Sequence, residues 1–141
     1  MDIGDKATIF GPAGKFILKP AAKNIVFLTC GIGITPIIPM LSELQNSQFQ
    51  GEVLLFNSNK TAASDPYVTV LGSIKMAHYT YRPVITSEEK RIDIDLLNTY
   101  LKDLHAYHYY VVGTSSFLTS MQKLLDNEKI DRGQIYIDDF G

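Results

Sequence analysis

The sequence predicts a doubly wound α/β fold, in which a five-stranded parallel sheet carries helices on both faces. Short apolar, β-branched runs alternate along the chain with helix-like segments, and such alternation produces a parallel sheet covered on both sides. The composition is that of an ordinary globular protein, with 45% hydrophobic and 20% charged residues. At 141 residues the chain is long enough to bury a substantial core.

Five runs are predicted as strands of the parallel sheet. Their residues are largely apolar and β-branched, as expected for strands that are buried on both faces. The five runs are residues 24–29, 51–57, 79–86, 108–113 and 134–138. Two further strand-like runs, residues 6–10 and 15–19, precede this sheet and flank a turn at residues 11–14.

Four segments between these strands are predicted as helices. They are residues 34–45, 67–76, 93–104 and 115–127. Pro36 suits the first turn of the first helix, because an N–H there has no partner within the helix. The second segment is ambiguous, since its β-branched residues favour a strand, but its position between two strands favours a helix, which we expect. The last two helices are expected to begin at side-chain caps, Asp93 or Asp95 for one and Ser115 for the other.

Charge and cysteine content exclude several classes of protein. Thirteen Lys and Arg residues against fifteen Asp and Glu residues give a formal net charge of −2, which argues against a nucleic-acid-binding domain with a basic face. The single cysteine, Cys30, excludes an internal disulfide and a CxxC metal site. The sequence shows no signal-peptide pattern and no run of about 20 apolar residues. These features predict a soluble, cytoplasmic protein.

Polar turns that contain glycine or serine follow three of the predicted strands. They are CGIGITP at residues 30–36, NSNKT at residues 57–61 and VVGTSS at residues 111–116. In an open parallel sheet, ligands bind beyond the carboxyl ends of the strands. We therefore expect these three turns to meet at one rim and to form the binding site.

The first of these turns is the candidate anion site. A helix N-terminus exposes unpaired N–H groups and about half a positive charge. Gly31 and Gly33 would let the backbone approach a pyrophosphate, and Thr35 supplies a hydroxyl either as a cap or as a phosphate donor. The GxGxxP pattern departs from the GxGxxG fingerprint and lacks the P-loop lysine, so a tight turn without a ligand stays an open alternative. The second strand also ends in Asn59 and Lys60 rather than in the usual ribose-binding acid.

Four segments together resemble the ferredoxin–NADP reductase superfamily. FLTCGIGITPIIPMLSEL at residues 27–44 resembles its pyrophosphate loop and first helix, commonly GGxGxTP followed by xxML. Residues 109–125 resemble its YxCGP segment, and residues 135–141 resemble its carboxyl-terminal ixxExF. GDKATIFGPAGKFIL at residues 4–18 resembles the last strands of its flavin-binding barrel. The four segments occur in the family's order and are spread over nearly the whole chain, from residue 4 to residue 141.

The resemblance implies that residues 1–20 end a flavin-binding barrel and that residues 21–141 form an NAD(P)-binding domain. Members of the family pass electrons from NADPH or NADH through a bound flavin, so it implies an oxidoreductase that uses FAD in the full-length protein. Its acceptor would be a ferredoxin, a flavodoxin or an oxygenase. The implied cofactor-binding residues are Gly31, Ile32, Gly33, Thr35, Pro36, Asn59, Lys60, Gly113 and Thr114, with Phe140 beside the flavin.

Departures from the family pattern define the alternative. The RxYS flavin motif is absent, so we expect the flavin domain in cis or in trans and little turnover by this chain alone. Val112 and Thr114 replace a common cysteine and proline, and Cys30 replaces a glycine, as a small buried residue. A non-catalytic nucleotide-binding subunit or sensor module is therefore the second hypothesis. Apolar surface near Phe16 and Phe140 predicts self-association into a homo-oligomer.

The choice between NADH and NADPH stays open in the sequence. Lys60 stands where many relatives have arginine, and it could pair with a 2′-phosphate less specifically than arginine does. Arg91 could contribute from the turn after the third strand, where NADPH-selective relatives often show SR or TR and this chain has Thr86 and Ser87. The alternative for both cations is a solvated surface charge.

Three other groups are expected to be structural. His105 and His108 lack a third metal ligand nearby. The tyrosine-rich residues 106–112 are expected to pack their rings on the faces of the sheet. Asp138 and Asp139 are neighbours in a predicted strand, so their carboxylates face opposite sides and are not expected to form a paired site. The family resemblance gives Asp139 an alternative place beside the flavin, next to Phe140.

Overall fold

A computed structural model describes residues 14–65 and 67–139. Within this part of the chain, five strands form one parallel sheet in the order β3–β2–β1–β4–β5. The strands are β1 (Ile25–Cys30), β2 (Val53–Asn59), β3 (Tyr79–Ile85), β4 (His108–Gly113) and β5 (Ile135–Asp139). The predicted doubly wound sheet is confirmed. The predicted run at residues 6–10 and the predicted site residue Phe140 lie outside the described residues.

Each of the four predicted helices is present. They are α1 (Ile37–Asn46), α2 (Val68–Gly72), α3 (Ile94–Tyr100) and α4 (Ser115–Asn127). The ambiguous second segment is helical but short, and α3 ends before Leu101, whose backbone is extended. Pro36 immediately precedes α1, as its missing N–H allows. None of the helices in the described ranges has the length and apolar character needed to cross a lipid bilayer.

The sheet separates two hydrophobic cores. Phe27 and Leu55 pack on the side that α1 and α2 cover, whereas Val26, Phe56 and Val111 pack on the side that α3 and α4 cover. Both faces of β1 are therefore buried, which explains why its sequence is apolar without alternation. Complete burial of one such side chain contributes about 1.5–3 kcal/mol, so the sheet is a rigid support for the rim above it.

The carboxyl ends of β1 and β4 form the point where the strand order reverses. From β1 the chain continues to β2 and β3 on one side, and then returns to β4 on the other side of β1. The two strands run in register, with Thr29 opposite Val112. The connections that follow β1 and β4 diverge, and a crevice opens between them where ligands bind in folds of this class.

The predicted strand at residues 15–19 is wrong. The Ile17 N–H donates to the Lys15 carbonyl at 3.0 Å, and the Lys19 N–H donates to the Tyr110 hydroxyl at 2.9 Å. These bonds are a local turn and a side-chain contact rather than rungs of a ladder. Phe16 packs edge-on against Tyr110, with ring centroids 5.6 Å apart. The segment therefore contacts the sheet through the side chain of Tyr110 and not through backbone pairing.

One predicted helix cap is correct and one is wrong. Asp93 caps α3 by accepting the Leu96 N–H at 2.9 Å. The residue before α4 is Thr114, whose backbone is extended, so Ser115 is the first residue of the helix and not its cap. The Ser115 hydroxyl lies 3.2 Å from the Asp139 carboxylate instead. This contact links the start of α4 to the end of β5.

Candidate functional site

The three turns meet at the rim, as expected, and enclose two neighbouring clefts. We call the first the α1-side cleft, with a volume of about 460 Å³. Its walls include Gly31, Ile32, Thr35, Asn59, Lys60 and Tyr67. We call the second the α4-side cleft, with a volume of about 320 Å³. Its walls include Cys30, Asn59, Lys60, Thr86, Arg91 and Thr114. Asn59 and Lys60 line both clefts, so they form the ridge between them.

The two glycines of the CGIGITP turn have different structural reasons. Gly31 has a φ of +53°, a left-handed conformation that favours glycine, and a side-chain carbon built there would meet nothing within 4 Å. Gly33 is buried, and a side-chain carbon there would lie 2.5 Å from the Val112 carbonyl oxygen. Contact of either glycine with a pyrophosphate stays a prediction. Gly31 leaves open space, whereas the missing side chain of Gly33 lets the turn pack on β4.

Thr35 closes the turn from within. Its hydroxyl donates to the Ile32 carbonyl at 2.9 Å, and its N–H donates to the same oxygen at 3.0 Å. The Ile32 side chain is thereby held outward, with 71% of its surface exposed beside the open space at Gly31. Of the two roles considered for the Thr35 hydroxyl, the structure shows the local one. Contact of Thr35 with a phosphate stays a prediction.

Cys30, Gly113 and Phe117 pack closely together where β1 and β4 end. Gly113 has a φ of +158°, and a side-chain carbon there would lie 2.4 Å from the Cys30 Sγ and 3.0 Å from Phe117. The Cys30 Sγ lies 3.9 Å from the Thr114 Oγ1 across the crevice. Cys30 is half-exposed rather than buried as expected, because β1 emerges at the rim at this residue.

Asn59 carries an unused donor at the ridge. Its side chain is 6% exposed, and its Nδ2 has no hydrogen-bond partner among the described residues. The Asn59 backbone is fixed, since its carbonyl accepts the Thr86 N–H at 2.9 Å. A buried donor without a partner costs about 1–3 kcal/mol, so an acceptor on a bound ligand would recover that loss.

Lys60 and Arg91 bring two positive charges to the α4-side cleft. Both side chains are exposed, and neither forms a salt bridge within residues 14–65 and 67–139. The nearby Glu89 is already paired, since it contacts Arg82 and also accepts the Ile85 N–H at 3.1 Å. The hydrogen bond from Arg82 lowers the pKa of the Glu89 carboxyl. The cleft therefore keeps a local excess of positive charge.

A buried polar network below the rim was not anticipated from the sequence. The Thr29 hydroxyl donates to the Asn57 Oδ1 at 2.9 Å, and the Asn57 Nδ2 donates to the Asp65 Oδ2 at 2.9 Å. Asp65 also accepts the Tyr67 N–H at 3.1 Å and the hydroxyl of Tyr81. Burial, followed by this bond to Asp65, raises the pKa of the Tyr81 phenol.

The network fixes the loop after β2 and thereby places Tyr67 at the wall of the α1-side cleft. A signal for it existed in the sequence. Thr29 and Asn57 are polar residues near the ends of otherwise apolar strands, and they are register partners in the sheet.

The remaining candidates are structural. Tyr107, Tyr109 and Tyr110 are buried, which confirms that this run packs on the sheet. The His108 Nδ1 lies 3.1 Å from the Tyr136 hydroxyl, against which its ring stacks. In the part of the chain that the structure describes, no group of three or more His, Cys, Asp or Glu residues is placed to hold a metal ion. Of the predicted site residues, Gly33, Gly113 and Pro36 line neither cleft, and Pro36 borders the separate groove described below.

Comparisons with known proteins agree with this architecture. No protein-family model matches the chain. A flavohemoprotein of Bacillus subtilis is 31% identical over 137 residues, which cover 86% of this chain and 34% of that protein. The chain thus spans about a third of the length of this curated relative.

Two solved structures share the fold. The flavohem-like FAD/NAD-binding domain of nitric oxide dioxygenase from Vibrio cholerae matches with a TM-score of 0.78 at 17% identity, over 94% of this chain and 57% of that one. Phthalate dioxygenase reductase, described as a modular structure for electron transfer from pyridine nucleotides to [2Fe-2S], matches with a TM-score of 0.72 at 19% identity. This match covers 92% of this chain and 39% of that one. In sequence the chain is similar to flavohemoproteins, and in fold it is similar to FAD/NAD-binding reductase domains, in agreement with the resemblance to the ferredoxin–NADP reductase superfamily.

Proposed function

We propose that this chain is the nicotinamide-nucleotide-binding part of a flavin-dependent NAD(P)H oxidoreductase. The observation that carries the proposal is the turn at Gly31, which combines a left-handed backbone with open space at the reversal point of the sheet. A pyrophosphate can approach the N–H groups of this turn without meeting a side chain. The flavohemoprotein and reductase relatives support the same function.

The nucleotide would extend from this turn in both directions. Its pyrophosphate lies against Gly31 and Thr35, and its adenosine ribose lies along Asn59 and Lys60, where the unused Asn59 donor can be satisfied. Its nicotinamide lies beside Gly113 and Thr114. The nicotinamide supplies the hydride and the flavin accepts it, while this chain binds and orients the nucleotide.

The α4-side cleft favours NADPH over NADH. A 2′-phosphate is an anion, and Lys60 and Arg91 line this cleft without salt-bridge partners among the described residues. Arginine can bind a phosphate through two parallel hydrogen bonds, which adds geometric specificity to the charge of the lysine. Arg91 would therefore supply the specific phosphate contact that Lys60, which stands where relatives often have arginine, provides less well.

Calorimetric titration of the chain with NADPH, NADH and 2′-phospho-AMP tests the proposal. Arg91→Gln should weaken binding of 2′-phospho-AMP about ten-fold, as loss of one charged hydrogen bond predicts, and should change NADH binding far less. Arg132→Gln is the matched control, because Arg132 is exposed and lines neither cleft. If none of the three ligands binds at millimolar concentration, the proposed function is wrong.

A nucleotide-sensing subunit without catalysis is the second candidate. Val112 favours it, because this buried residue provides no sulfur where family members commonly place a cysteine. Mixing the chain with NADPH and a flavin-loaded barrel domain of a relative separates the two functions. Bleaching of the flavin absorbance supports the oxidoreductase, whereas nucleotide binding without bleaching supports the sensor.

A groove at the β5 edge of the sheet is the proposed contact with the flavin domain. The groove has a volume of about 730 Å³, and its walls are residues 14–17, Pro36 and residues 135–138. Ile17 and Ile137 are 57% and 39% exposed there. We expect the chain alone to self-associate through this apolar surface, and Ile17→Lys to reduce that association in sedimentation experiments. The division at residue 20, the acceptor protein and the cytoplasmic location remain predictions.

A further inference from the structure

Cys30 is the single cysteine of the chain, and its position at the rim has no part in the proposed binding of the nucleotide. The thiol is half-exposed and lines the α4-side cleft. Gly113 closes one side of the sulfur, since even a methyl group there would lie 2.4 Å from the Sγ. On its other side Cys30 borders the cleft, so a group attached to the Sγ can extend into it.

The surroundings of the thiol suit an anionic ligand. Lys60 and Arg91 line the same cleft, and the described residues provide neither with a salt bridge. Asn59 gives an independent indication of a ligand, because its side chain lines the cleft, is 6% exposed, and has an Nδ2 without a partner among the described residues. Three hydroxyl groups, those of Thr86, Ser116 and Ser120, complete the polar wall.

We propose that Cys30 is a reversible modification site that forms a mixed disulfide with small anionic disulfides of the glutathione class, and that the adduct excludes the nucleotide. The proposal rests on the proposed function, because the adduct and the adenosine end of the nucleotide would share Lys60 and Arg91. Both groups would occupy the same cleft of about 320 Å³, so they compete for its two cations. Nucleotide binding then depends on the thiol redox state of the surroundings.

The chemistry is a thiol–disulfide exchange with glutathione disulfide as the oxidant. The deprotonated Cys30 sulfur attacks one sulfur of glutathione disulfide, a new S–S bond forms, and the original S–S bond breaks. The departing glutathione thiolate takes up a proton, so cysteine is oxidised as one half of the disulfide is reduced. The adduct carries glutathione carboxylates that Lys60 and Arg91 can pair with. A reducing thiol reverses the exchange by the same route.

The first experiment measures the charge preference of the thiol. Reaction rates are compared for the carboxylated Ellman disulfide and the uncharged dithiodipyridine, and with one cysteine in the chain each rate reports Cys30 alone. The cationic cleft should favour the carboxylated reagent, and a Lys60→Gln, Arg91→Gln double variant should reduce this preference about ten-fold at low salt. Arg132→Gln should leave the preference unchanged. An equal preference in the double variant and the wild type would overturn the proposed selectivity of the site for anionic disulfides.

The second experiment measures exclusion of the nucleotide. The chain is treated with glutathione disulfide, the mass increase is verified, and the affinity for 2′-phospho-AMP is compared before and after treatment. We expect at least a ten-fold loss of affinity that a reducing thiol restores. The affinity of Cys30→Ser should be the same before and after treatment, and saturating 2′-phospho-AMP should slow modification of the wild type.

The two proposals fail in different ways. Absence of binding by the reduced chain contradicts the proposed function itself. Full binding by the modified chain contradicts only the role of Cys30. Thermal melts of the modified and the reduced chain are compared as a control. Equal Tm values exclude unfolding as the cause of a loss of binding.

Discussion

Replacement of Gly33 by alanine tests whether the turn after β1 rests on the backbone of β4. The added methyl group would lie 2.5 Å from the Val112 carbonyl oxygen and 2.8 Å from its carbonyl carbon. These are backbone atoms of an interior strand, so no side chain can rotate away to make room. Forced overpacking costs about 1–3 kcal/mol, and the rigid neighbours place Gly33→Ala at the upper end.

The expected loss is large enough for an ordinary unfolding assay. For a chain of this length the unfolding entropy is about 0.3 kcal/mol per kelvin, so a loss of about 3 kcal/mol lowers the Tm by about 10 °C. Urea unfolding followed by circular dichroism gives the free energy directly. The free energy of unfolding must depend on urea concentration with the same slope in the variant and the wild type. A change in the urea midpoint then reports a change in stability.

Two other glycines supply matched controls. Gly31→Ala meets no atom within 4 Å but requires a left-handed alanine, which costs about 1–2 kcal/mol. Gly72→Ala also meets nothing, and it replaces glycine in α2, where alanine should be neutral or stabilise by about 0.5 kcal/mol. From the most stable to the least stable, the expected order is Gly72→Ala, wild type, Gly31→Ala and Gly33→Ala. A Gly33→Ala variant within about 0.5 kcal/mol of the wild type would refute the packing argument, since real overpacking exceeds that value.

Two further substitutions test the support of the rim. Tyr81→Phe removes the hydroxyl that donates to the buried Asp65 carboxylate, and it should cost about 1.5–3 kcal/mol in urea unfolding at pH 7. Glu89→Gln should cost about 0.5–1 kcal/mol at pH 7, since both side chains of the Arg82 pair are partly exposed. Because the pairing lowers the pKa of Glu89, this contribution is complete above the ordinary value of 4.5 and disappears as the pH falls through the lowered pKa. A stability difference between wild type and Glu89→Gln that does not shrink as the pH falls below 4.5 would contradict this assignment.

The sheet was predictable because its strands are buried on both faces. In Ile25–Cys30 the first four residues are all apolar, and a central strand of a covered parallel sheet produces that pattern because both of its faces are buried. Residues 15–19 were predicted wrongly from the same pattern. An apolar run predicts that a segment is buried, but it does not predict which groups accept or donate the hydrogen bonds of its backbone. There the partner is the Tyr110 hydroxyl, which lies 91 residues away in the chain.

The site was predictable at its turns and less so in its details. The rim convergence follows from topology, so Gly31 and Lys60 were brought together as expected. Gly31 and Gly33 are glycines for different structural reasons. The reason for Gly33 is its distance from the backbone of β4, which the local sequence pattern does not contain. Asp65 was missed because a carboxylate in a polar loop usually faces water, and its burial depends on an amide and a phenol from two strands.

The Thr29–Asn57 hydrogen bond also bears on how the sheet selects its alignment. Sliding β1 by one residue against β2 turns apolar side chains to the wrong face, so the hydrophobic pattern alone rejects that error. Sliding by two residues preserves the faces, and the cores cannot distinguish it. In that arrangement Thr29 faces Leu55 or Asn59, and the buried Asn57 Oδ1 loses the Thr29 hydroxyl that donates to it. Loss of the Thr29–Asn57 hydrogen bond therefore destabilises the two-residue shift, which the burial of apolar side chains alone would not exclude.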